Sequence, residues 1–321
     1  MPIGEFDIIK KYFTRLGRGR GVQLGVGDDC ALLSVPEGKQ LAVSMDTLVA
    51  GVHFPKNSDP ELIAERALRV NLSDLAAMGA EPLWFTLGLT LPDADPLWLN
   101  GFSQGLFNAA DEFNCVLVGG DTTHGPLSIT IQVHGAIDAD HALLRSGANV
   151  GDLVLVTGTL GDAAAALAVI QGRLEVGEQG FHYLMQSFYR PKPQLHEGQL
   201  LAHIASAAID ISDGLIADLG HICEESLVGA IIDIDRLPLS GLMEKRVEPV
   251  QAVMWALSGG DDYQLCFTLP PQNLNKLEIL IKQGKINATI VGEIVSGSGV
   301  TCLKDGKPVQ ISASGYNHFK S

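Results

Sequence analysis

The chain has 321 residues, with 37 acidic residues against 22 lysines and arginines, so its net charge is −15 and its isoelectric point is about 4.9. This charge argues against binding to nucleic acid or to an anionic membrane, and a content of 46% hydrophobic and 18% charged residues excludes intrinsic disorder. The length suggests two domains, and the lack of a signal-peptide pattern or a long apolar run predicts a cytoplasmic protein. Five scattered cysteines without a CxxC pair argue against disulfides and a zinc site.

The first half of the chain predicts a mixed α/β domain. Its expected elements are a helix over 4–13, a strand ending near 44, a helix from 59 to 78, a strand over 84–91, a helix over 95–113, and strands over 115–120 and 128–137. The glycine-rich segment 14–21 predicts a basic loop, either a solvated turn or an anion contact. Pro60 opens the second helix, on which Asn71 and Asp74 share one face. Asp46 is expected at the carboxyl end of the first strand, a common position for ligand-binding groups.

A polar stretch near 138–149 predicts the domain boundary, so that the two domains would span 1–138 and 149–321. The second domain also alternates strands and helices. Its expected elements are a strand and an alanine-rich helix over 151–167, a strand-to-helix junction over 208–215, a strand over 229–234, an acidic turn followed by a strand over 257–269, and a closing strand over 289–294. Both halves place aspartate beside glycine at the ends of apolar runs.

Nine of the 22 aspartates fall into six short boxes rich in glycine, serine, threonine and asparagine. The boxes are GVGDDC (25–30), SMDT (44–47), NLSD (71–74), GGDTT (119–123), DISDG (210–214) and GGDD (259–262). Small neighbours let a ligand approach the backbone, and Mg²⁺ is usually held by one or two carboxylates together with substrate phosphates. The pattern therefore favours a magnesium–polyphosphate site. Turns and caps are the alternative for any single box, but they do not explain six boxes together.

The familiar nucleotide and hydrolase motifs are missing from the sequence. It contains no Walker A loop, no GxGxxG turn, no GxSxG elbow and no HExxH pair. Phosphates would then be bound through bridging metals, backbone amides of the GGD loops and a few cations such as Arg145. Arg145 is alternatively a surface charge, and His53 is alternatively a hydrogen-bonded histidine at a strand edge.

The order and spacing of these boxes resemble the thiamine-monophosphate kinase family. Further matching segments are AGVHF (50–54), LLRSG (143–147), GDLVLVTGTLGDAAAAL (151–167) and GYNHF (315–319). The resemblance implies a two-domain, aminoimidazole-ribonucleotide-synthetase-like fold of the α/β (α+β) class, with an N-terminal mixed sheet that dimerises and a C-terminal sheet flanked by helices. It also implies a cytoplasmic homodimer that transfers the γ-phosphoryl group of ATP in line to thiamine monophosphate, assisted by several Mg²⁺ ions.

Matching the motifs residue by residue implies a role for each of a set of side chains. The metal ligands would be Asp29, Ser44, Met45 (through its backbone carbonyl), Asp46, Asp74, Asp121, Asp210 and Asp213. The ATP contacts would be Gly120, Asp121, Arg145 and Ser212, and the thiamine monophosphate contacts would be His53, Asp261 and Tyr316. The catalytic residues would be Asp46, Asp121, Asp210 and Arg145. Met45 and Asp261 replace the threonine and glutamate that are frequent in the family, and Tyr316 alternatively packs at the terminus.

Two other functions stay open on the sequence alone. One is a related ATP-using enzyme that acts on an amide or on selenide, although the reactive cysteines expected of the selenide-using and hydrogenase-maturation relatives have no match here beyond Cys30. The other is a Ca²⁺-binding or scaffold protein, which would favour regular DxDxDG loops that this chain lacks.

Overall fold

The computed structural model describes residues 4–15 and 19–311 of the chain. The chain divides into two compact units. Unit 1 contains the residues up to Leu75 together with Ala80–Asp140, and unit 2 contains Ala76–Gly79 together with the residues from His141 onward. Within the described ranges, no helix is long and apolar enough to cross a membrane. Tyr316 and residues 16–18 of the predicted basic loop lie outside the described residues.

Unit 1 is built on a four-stranded mixed sheet. Its elements are α1 (Glu5–Ile8), β1 (Val22–Leu24), β2 (Leu32–Leu33), β3 (Lys39–Val49), α2 (Pro60–Ala77), β4 (Glu81–Leu91), α3 (Pro96–Glu112), β5 (Val116–His124) and β6 (Ser128–Asp138). The strand order is β3-β6-β4-β5, in which β4 and β5 are parallel and the other neighbours are antiparallel. A π-helix over Ile9–Phe13 continues α1, so the predicted first helix changes its winding half-way.

Capping aspartates explain where the two long helices of unit 1 begin. The Asp59 carboxylate accepts a 2.8 Å hydrogen bond from the backbone N–H of Glu61, and the Asp95 carboxylate accepts a 3.1 Å bond from that of Leu97. Each aspartate is followed by a proline, whose missing N–H costs nothing in the first turn. The predicted starts of both helices are therefore confirmed.

Two strands of unit 1 are longer than the sequence predicts. β3 runs on through Asp46 to Val49, and β5 runs on through Asp121 to His124. The expectation that Asp46 ends its strand is therefore wrong. Both strands lie at an edge of the sheet, where solvent reaches their side chains, so an acidic residue need not stop the strand.

Unit 2 is built on a seven-stranded sheet with helices between its strands. Its elements are β7 (Leu153–Thr157), α4 (Asp162–Ile170), α5 (Glu178–Tyr189), α6 (Leu195–Leu201), β8 (Ala207–Asp210), α7 (Leu215–Ser226), β9 (Gly229–Asp233), α8 (Gly241–Arg246), α9 (Pro249–Ser258), β10 (Leu265–Leu269), α10 (Leu274–Lys282), β11 (Ala288–Val295), β12 (Gly299–Lys304) and β13 (Lys307–Val309). The order in this sheet is β13-β12-β9-β11-β7-β10-β8, and of its described pairs β9–β12 is parallel and the others are antiparallel.

The inner strands of unit 2 are continuous apolar runs because both faces of the sheet are covered. All five residues of β10 are buried, and so are four of the five residues of β7. The expected closing strand is β11, but it is not the last, since β12 and β13 follow it. At least half of the residues in each of these two strands are exposed, and their sequences lack the continuous apolar run that predicts an inner strand.

Candidate active site

A cavity of about 680 Å³ lies along β5, an outer strand of the unit 1 sheet. Part of its lining is acidic and rich in glycine, and consists of Asp28, Asp29, Gly119, Gly120 and Asp121. Another part is apolar and includes Phe6, Ile9 and Phe13 from the segment that contains α1. Two sequence boxes, GVGDDC and GGDTT, therefore meet in one cavity. Its size and its mixed lining fit a ligand that has both an apolar ring system and an anionic group.

Gly120 lies on β5 at a position with no room for a side chain against β4. Its φ is +153°, and a Cβ atom at this position would lie 1.9 Å from the carbonyl oxygen of Leu87. No other residue fits there without moving one of the two strands. The glycine therefore lets the β5 backbone lie close to β4 directly before Asp121.

A second group of predicted ligands lies at the other edge of the same sheet, where β3 contacts α2. The hydroxyl of Ser44 donates a short hydrogen bond to the carboxylate of Asp74. The backbone N–H of Asp46 donates a 2.9 Å bond to the side-chain oxygen of Asn71, whose amide nitrogen donates to the carbonyl of Ala67. The predicted shared face of Asn71 and Asp74 on α2 is therefore the face toward β3.

Met45 and His53 lie near this second group. Successive residues of a strand point to opposite faces, so the Met45 side chain, which is 59% exposed, points away from α2 while the side chains of its neighbours Ser44 and Asp46 point toward it. His53 follows β3 in a turn, and its Nδ1 atom accepts a 3.0 Å hydrogen bond from the backbone N–H of Val49. This bond places the proton of a neutral ring on Nε2.

The two groups in unit 1 are well separated. In the strand register Asp46 shares a row with Ile131, Leu87 and Gly120, whereas Asp121 falls in the next row, with Gly88. The side chains of Asp46 and Asp121 therefore leave opposite faces of the sheet. They also lie three strand spacings apart, which is about 14 Å at the usual spacing of about 4.8 Å. Within one copy of unit 1 the structure does not bring these two carboxylates together.

In unit 2 the structure brings the DISDG and GGDD boxes together. The backbone N–H of Asp261 donates a 2.8 Å hydrogen bond to the carbonyl oxygen of Ser212, and the hydroxyl of Tyr263 donates to the carboxylate of Asp261. Asp210 is buried at the end of β8, and Asp213 is half-buried in the following turn. Asp261 and Tyr263 both have positive φ values, +61° and +49°. Such strain in non-glycine residues is typical of functional loops.

Two buried carboxylates hold these loops: Asp218, which lies outside the sequence boxes, and Asp262, a member of the GGDD box to which the sequence assigned no role. The carboxylate of Asp218, in the first turn of α7, accepts hydrogen bonds from the backbone N–H groups of Ser212, Asp213 and Gly214. Burial raises the pKa of Asp218 to about 7, against the effect of its three backbone donors. Asp262 accepts two bonds from the N–H of Gly161, so it caps α4, and burial raises its pKa well above the usual range.

Arg145 lies on an exposed loop of unit 2. Ser226, the last residue of α7, holds this loop, because its hydroxyl donates to the carbonyl of Arg145 and accepts from the N–H groups of Gly147 and Ala148. The loop backbone is thereby held while the guanidinium group stays accessible to an anion.

The described residues offer Mg²⁺ a few carboxylates at each group rather than a complete set of protein ligands. Among them, no three His, Cys, Asp or Glu side chains lie close enough to form a metal cage. Mg²⁺ does not require such a cage, since it keeps several waters and usually takes one or two carboxylates plus phosphate oxygens. Asp28, Asp29 and Asp121 in one cavity, and Asp46 and Asp74 beside Ser44, are oxygen donors of that kind. A nucleotide would complete their ligand sets.

Comparison with known proteins places this architecture in a family. Models of the AIR synthase related protein family match residues 27–137 with the N-terminal domain and residues 149–304 with the C-terminal domain. A thiamine-monophosphate kinase of Salmonella typhimurium is 52% identical over 322 aligned residues, which cover 99% of both chains. The chain belongs to the thiamine-monophosphate kinase family. The predicted resemblance and the predicted two-domain mixed α/β fold are confirmed.

Solved structures of the thiamine-monophosphate kinase family share the fold. The thiamine-monophosphate kinase from Stenotrophomonas maltophilia K279a is 43% identical, with a TM-score of 0.84 over 90% of this chain and 92% of that one. A second structure, described as AaThiL complexed with AMPPCP and TMP, is 32% identical, with a TM-score of 0.78 over 88% of each chain.

Proposed function

We propose that this member of the family transfers the γ-phosphoryl group of ATP to thiamine monophosphate and so produces thiamine diphosphate and ADP. The observation that carries the proposal is the β5 cavity, because it combines Asp29, Gly120 and Asp121 with an apolar lining in a space large enough for a nucleotide. The similarity to a protein solved with AMPPCP and TMP supports the same conclusion.

The proposed site residues fall into three sets, which would hold Mg²⁺, orient ATP and contact thiamine monophosphate. Asp29, Ser44, Met45, Asp46, Asp74, Asp121, Asp210 and Asp213 are the proposed holders of Mg²⁺. When bound, the ions neutralise phosphate charge that a protein of net charge −15 would otherwise repel. The Gly120 backbone, Arg145 and Ser212 would orient the triphosphate. His53, Asp261 and Tyr316 would contact thiamine monophosphate, whose thiazolium cation suits a carboxylate or an aromatic face.

The acceptor explains why the proposed reaction needs no dedicated general base. The attacking atom would be an oxygen of a phosphate monoester, whose second pKa of about 6 leaves it largely deprotonated at neutral pH. No proton needs to be removed before attack, so positioning and charge neutralisation supply the catalysis. The proposed catalytic residues, Asp46, Asp121, Asp210 and Arg145, are of the types that this work requires.

Calorimetric titration separates this proposal from an ion-storage protein. We expect ATP to bind measurably in the presence of Mg²⁺ and much more weakly after chelation, since the acidic cavity repels the free nucleotide. An ADP-release assay with thiamine monophosphate, formylglycinamidine ribonucleotide and selenide then identifies the acceptor. Metal binding without any affinity for ATP, or ADP release with every acceptor except thiamine monophosphate, would reject the proposal.

We also propose that the protein is a homodimer formed through the unit 1 sheet. β3 is an edge strand of eleven residues, and one of its faces exposes Leu41, Val43, Met45 and Val49. An exposed apolar edge strand normally requires a partner. If β3 lies beside β5 of a second copy, both open edges of the unit 1 sheet are covered.

A charged substitution on β3 tests this dimer. We expect Val43→Glu, at a position that is 49% exposed, to shift the protein from dimer to monomer in light scattering and to reduce kinase activity, because burying an unpaired carboxylate is costly. Leu97→Glu is the matched control, since Leu97 is 83% exposed at the start of α3 and lies on no strand edge. A Val43→Glu protein that stays dimeric and fully active would contradict this interface.

A further inference from the structure

One carboxylate in unit 2 makes three backbone hydrogen bonds to a single turn. The Oδ2 atom of Asp218 lies 3.0 Å from the nitrogen of Ser212 and 3.1 Å from the nitrogens of Asp213 and Gly214. The residue is only 3% exposed, so these bonds are protected from water. Bonds from backbone N–H groups to a carboxylate are among the stronger hydrogen bonds in proteins. The turn thus wraps around the Asp218 oxygen.

The same turn is held from its other side by the GGDD loop. The carbonyl oxygen of Ser212 accepts the 2.8 Å bond from the N–H of Asp261, and Gly260 packs so closely that a Cβ there would lie 2.5 Å from this oxygen. The peptide groups on both sides of Ser212 are therefore fixed: Asp218 holds the preceding one, and Asp218 and Asp261 together hold the following one. Ser212 and Asp213 are both half-buried in this turn, whereas Asp218 is buried.

We infer that Asp218 is a positioning residue, whose carboxylate sets the conformation in which Ser212 and Asp213 meet the metal-bound triphosphate. This role rests on the proposed function, because it takes Ser212 as an ATP contact and Asp213 as a metal ligand. Asp218 itself does not touch the nucleotide, since its side chain is buried behind the turn. Groups behind the direct ligands orient them in this way in many metal sites.

Asp152 provides a control for a purely structural role. It is a buried aspartate of unit 2, 4% exposed, and its carboxylate accepts hydrogen bonds from the backbone N–H of Asn149 and the hydroxyl of Ser206. Its partners are not proposed site residues. Asp152→Asn should therefore lower the thermal midpoint without changing how the enzyme uses Mg²⁺ or ATP.

Two measurements on Asp218→Asn test the role directly. Hydrogen exchange followed by mass spectrometry is expected to show faster exchange of the 212–214 amides and unchanged exchange in β7. The Mg²⁺ concentration that gives half the maximal rate is expected to rise about tenfold, with a smaller change in kcat at saturating Mg²⁺. Asp218→Glu keeps the charge one methylene further out and should change both quantities in the same direction, so it replaces the asparagine variant if that variant does not fold.

Unchanged exchange of the 212–214 amides in both Asp218 variants would overturn the inference. Equal Mg²⁺ dependence in Asp218→Asn and wild type, while Asp213→Asn raises the Mg²⁺ requirement, would overturn it too. If Asp213→Asn leaves the Mg²⁺ requirement unchanged, the proposed ligand role of Asp213 fails, and the exchange measurement alone decides whether Asp218 shapes the turn. The two failures are thus distinguishable.

Discussion

Replacing Asp121 by asparagine is expected to lower kcat/KM for thiamine monophosphate phosphorylation by about 10²–10³-fold, the usual cost of removing one group that stabilises transition-state charge. Asp121 lies in the β5 cavity beside Gly120 and is the residue proposed both to hold Mg²⁺ and to contact ATP. Asparagine has nearly the same shape but carries no negative charge. Because the Asp121 side chain is exposed, the thermal midpoint should change little.

Asp111→Asn is the control for this substitution. Asp111 is an exposed aspartate of α3 in the same unit, and it pairs with Arg15 at the surface. Surface ion pairs contribute little to stability, so this variant should keep both its activity and its stability. Steady-state kinetics at saturating Mg²⁺, with circular dichroism to verify the fold, make the comparison. Wild-type turnover by Asp121→Asn would remove Asp121 from the site.

Replacing Gly120 by alanine is expected to damage both the fold of unit 1 and ATP binding. The added Cβ would lie 1.9 Å from the Leu87 carbonyl oxygen, and the φ of +153° is one that alanine rarely adopts. The β4 and β5 strands must separate locally, so we expect the free energy of unfolding to fall by about 2 kcal/mol or more. Because the same backbone lines the cavity, the affinity for Mg²⁺–ATP should fall as well.

Gly220→Ala is the matched control, because Gly220 lies inside α7 and an added Cβ would meet no atom within 4 Å. Alanine there should stabilise the protein by about 0.4–1 kcal/mol. Urea unfolding of the two variants, together with calorimetric titration of Mg²⁺–ATP, measures both effects. An alanine at 120 that leaves unfolding and ATP affinity at wild-type values would show that the close β4–β5 approach is unimportant.

The sequence predicted the long helices of unit 1 and the order of the main inner strands, because local chemistry determines them. Asp59 and Asp95, each followed by proline, mark the first turns of α2 and α3 whatever the rest of the chain does. The juxtaposition of Asn71 and Asp74 follows equally from the helical period. The sequence assigned all six boxes to one site, but it did not predict which boxes lie side by side. The structure pairs GVGDDC with GGDTT and DISDG with GGDD.

What the sequence could not provide depends on neighbours in space. The apolar run ends at Ser44, so the sequence predicted that the strand ends before Asp46. Only the strand order shows that β3 is an edge strand, in which an exposed acid is tolerated. Asp218 looks like an ordinary acid of a helix and Asp262 like one more carboxylate of the GGDD box, and only their backbone donors identify them as anchors. The separation of Asp46 from Asp121 likewise requires the register of four strands.

The acidic composition acquires a specific meaning from these positions. Five of the boxed aspartates, Asp28, Asp29, Asp46, Asp74 and Asp121, are grouped at the two edges of one sheet, and others line two touching loops of unit 2. Carboxylates gathered in this way repel each other and gain from bound cations. The net charge of −15 is thus in large part a feature of the proposed site rather than of the surface as a whole.

Product analysis of a single reaction mixture tests the central claim most directly. The purified protein is incubated with ATP, thiamine monophosphate and Mg²⁺, and nucleotides and thiamine phosphates are separated and quantified. We expect ADP and thiamine diphosphate to form in equal amounts, without free phosphate, and neither to form when Mg²⁺ is chelated. ATP consumption that yields free phosphate and no thiamine diphosphate, or no consumption of ATP at all with both substrates and Mg²⁺ present, would contradict the account.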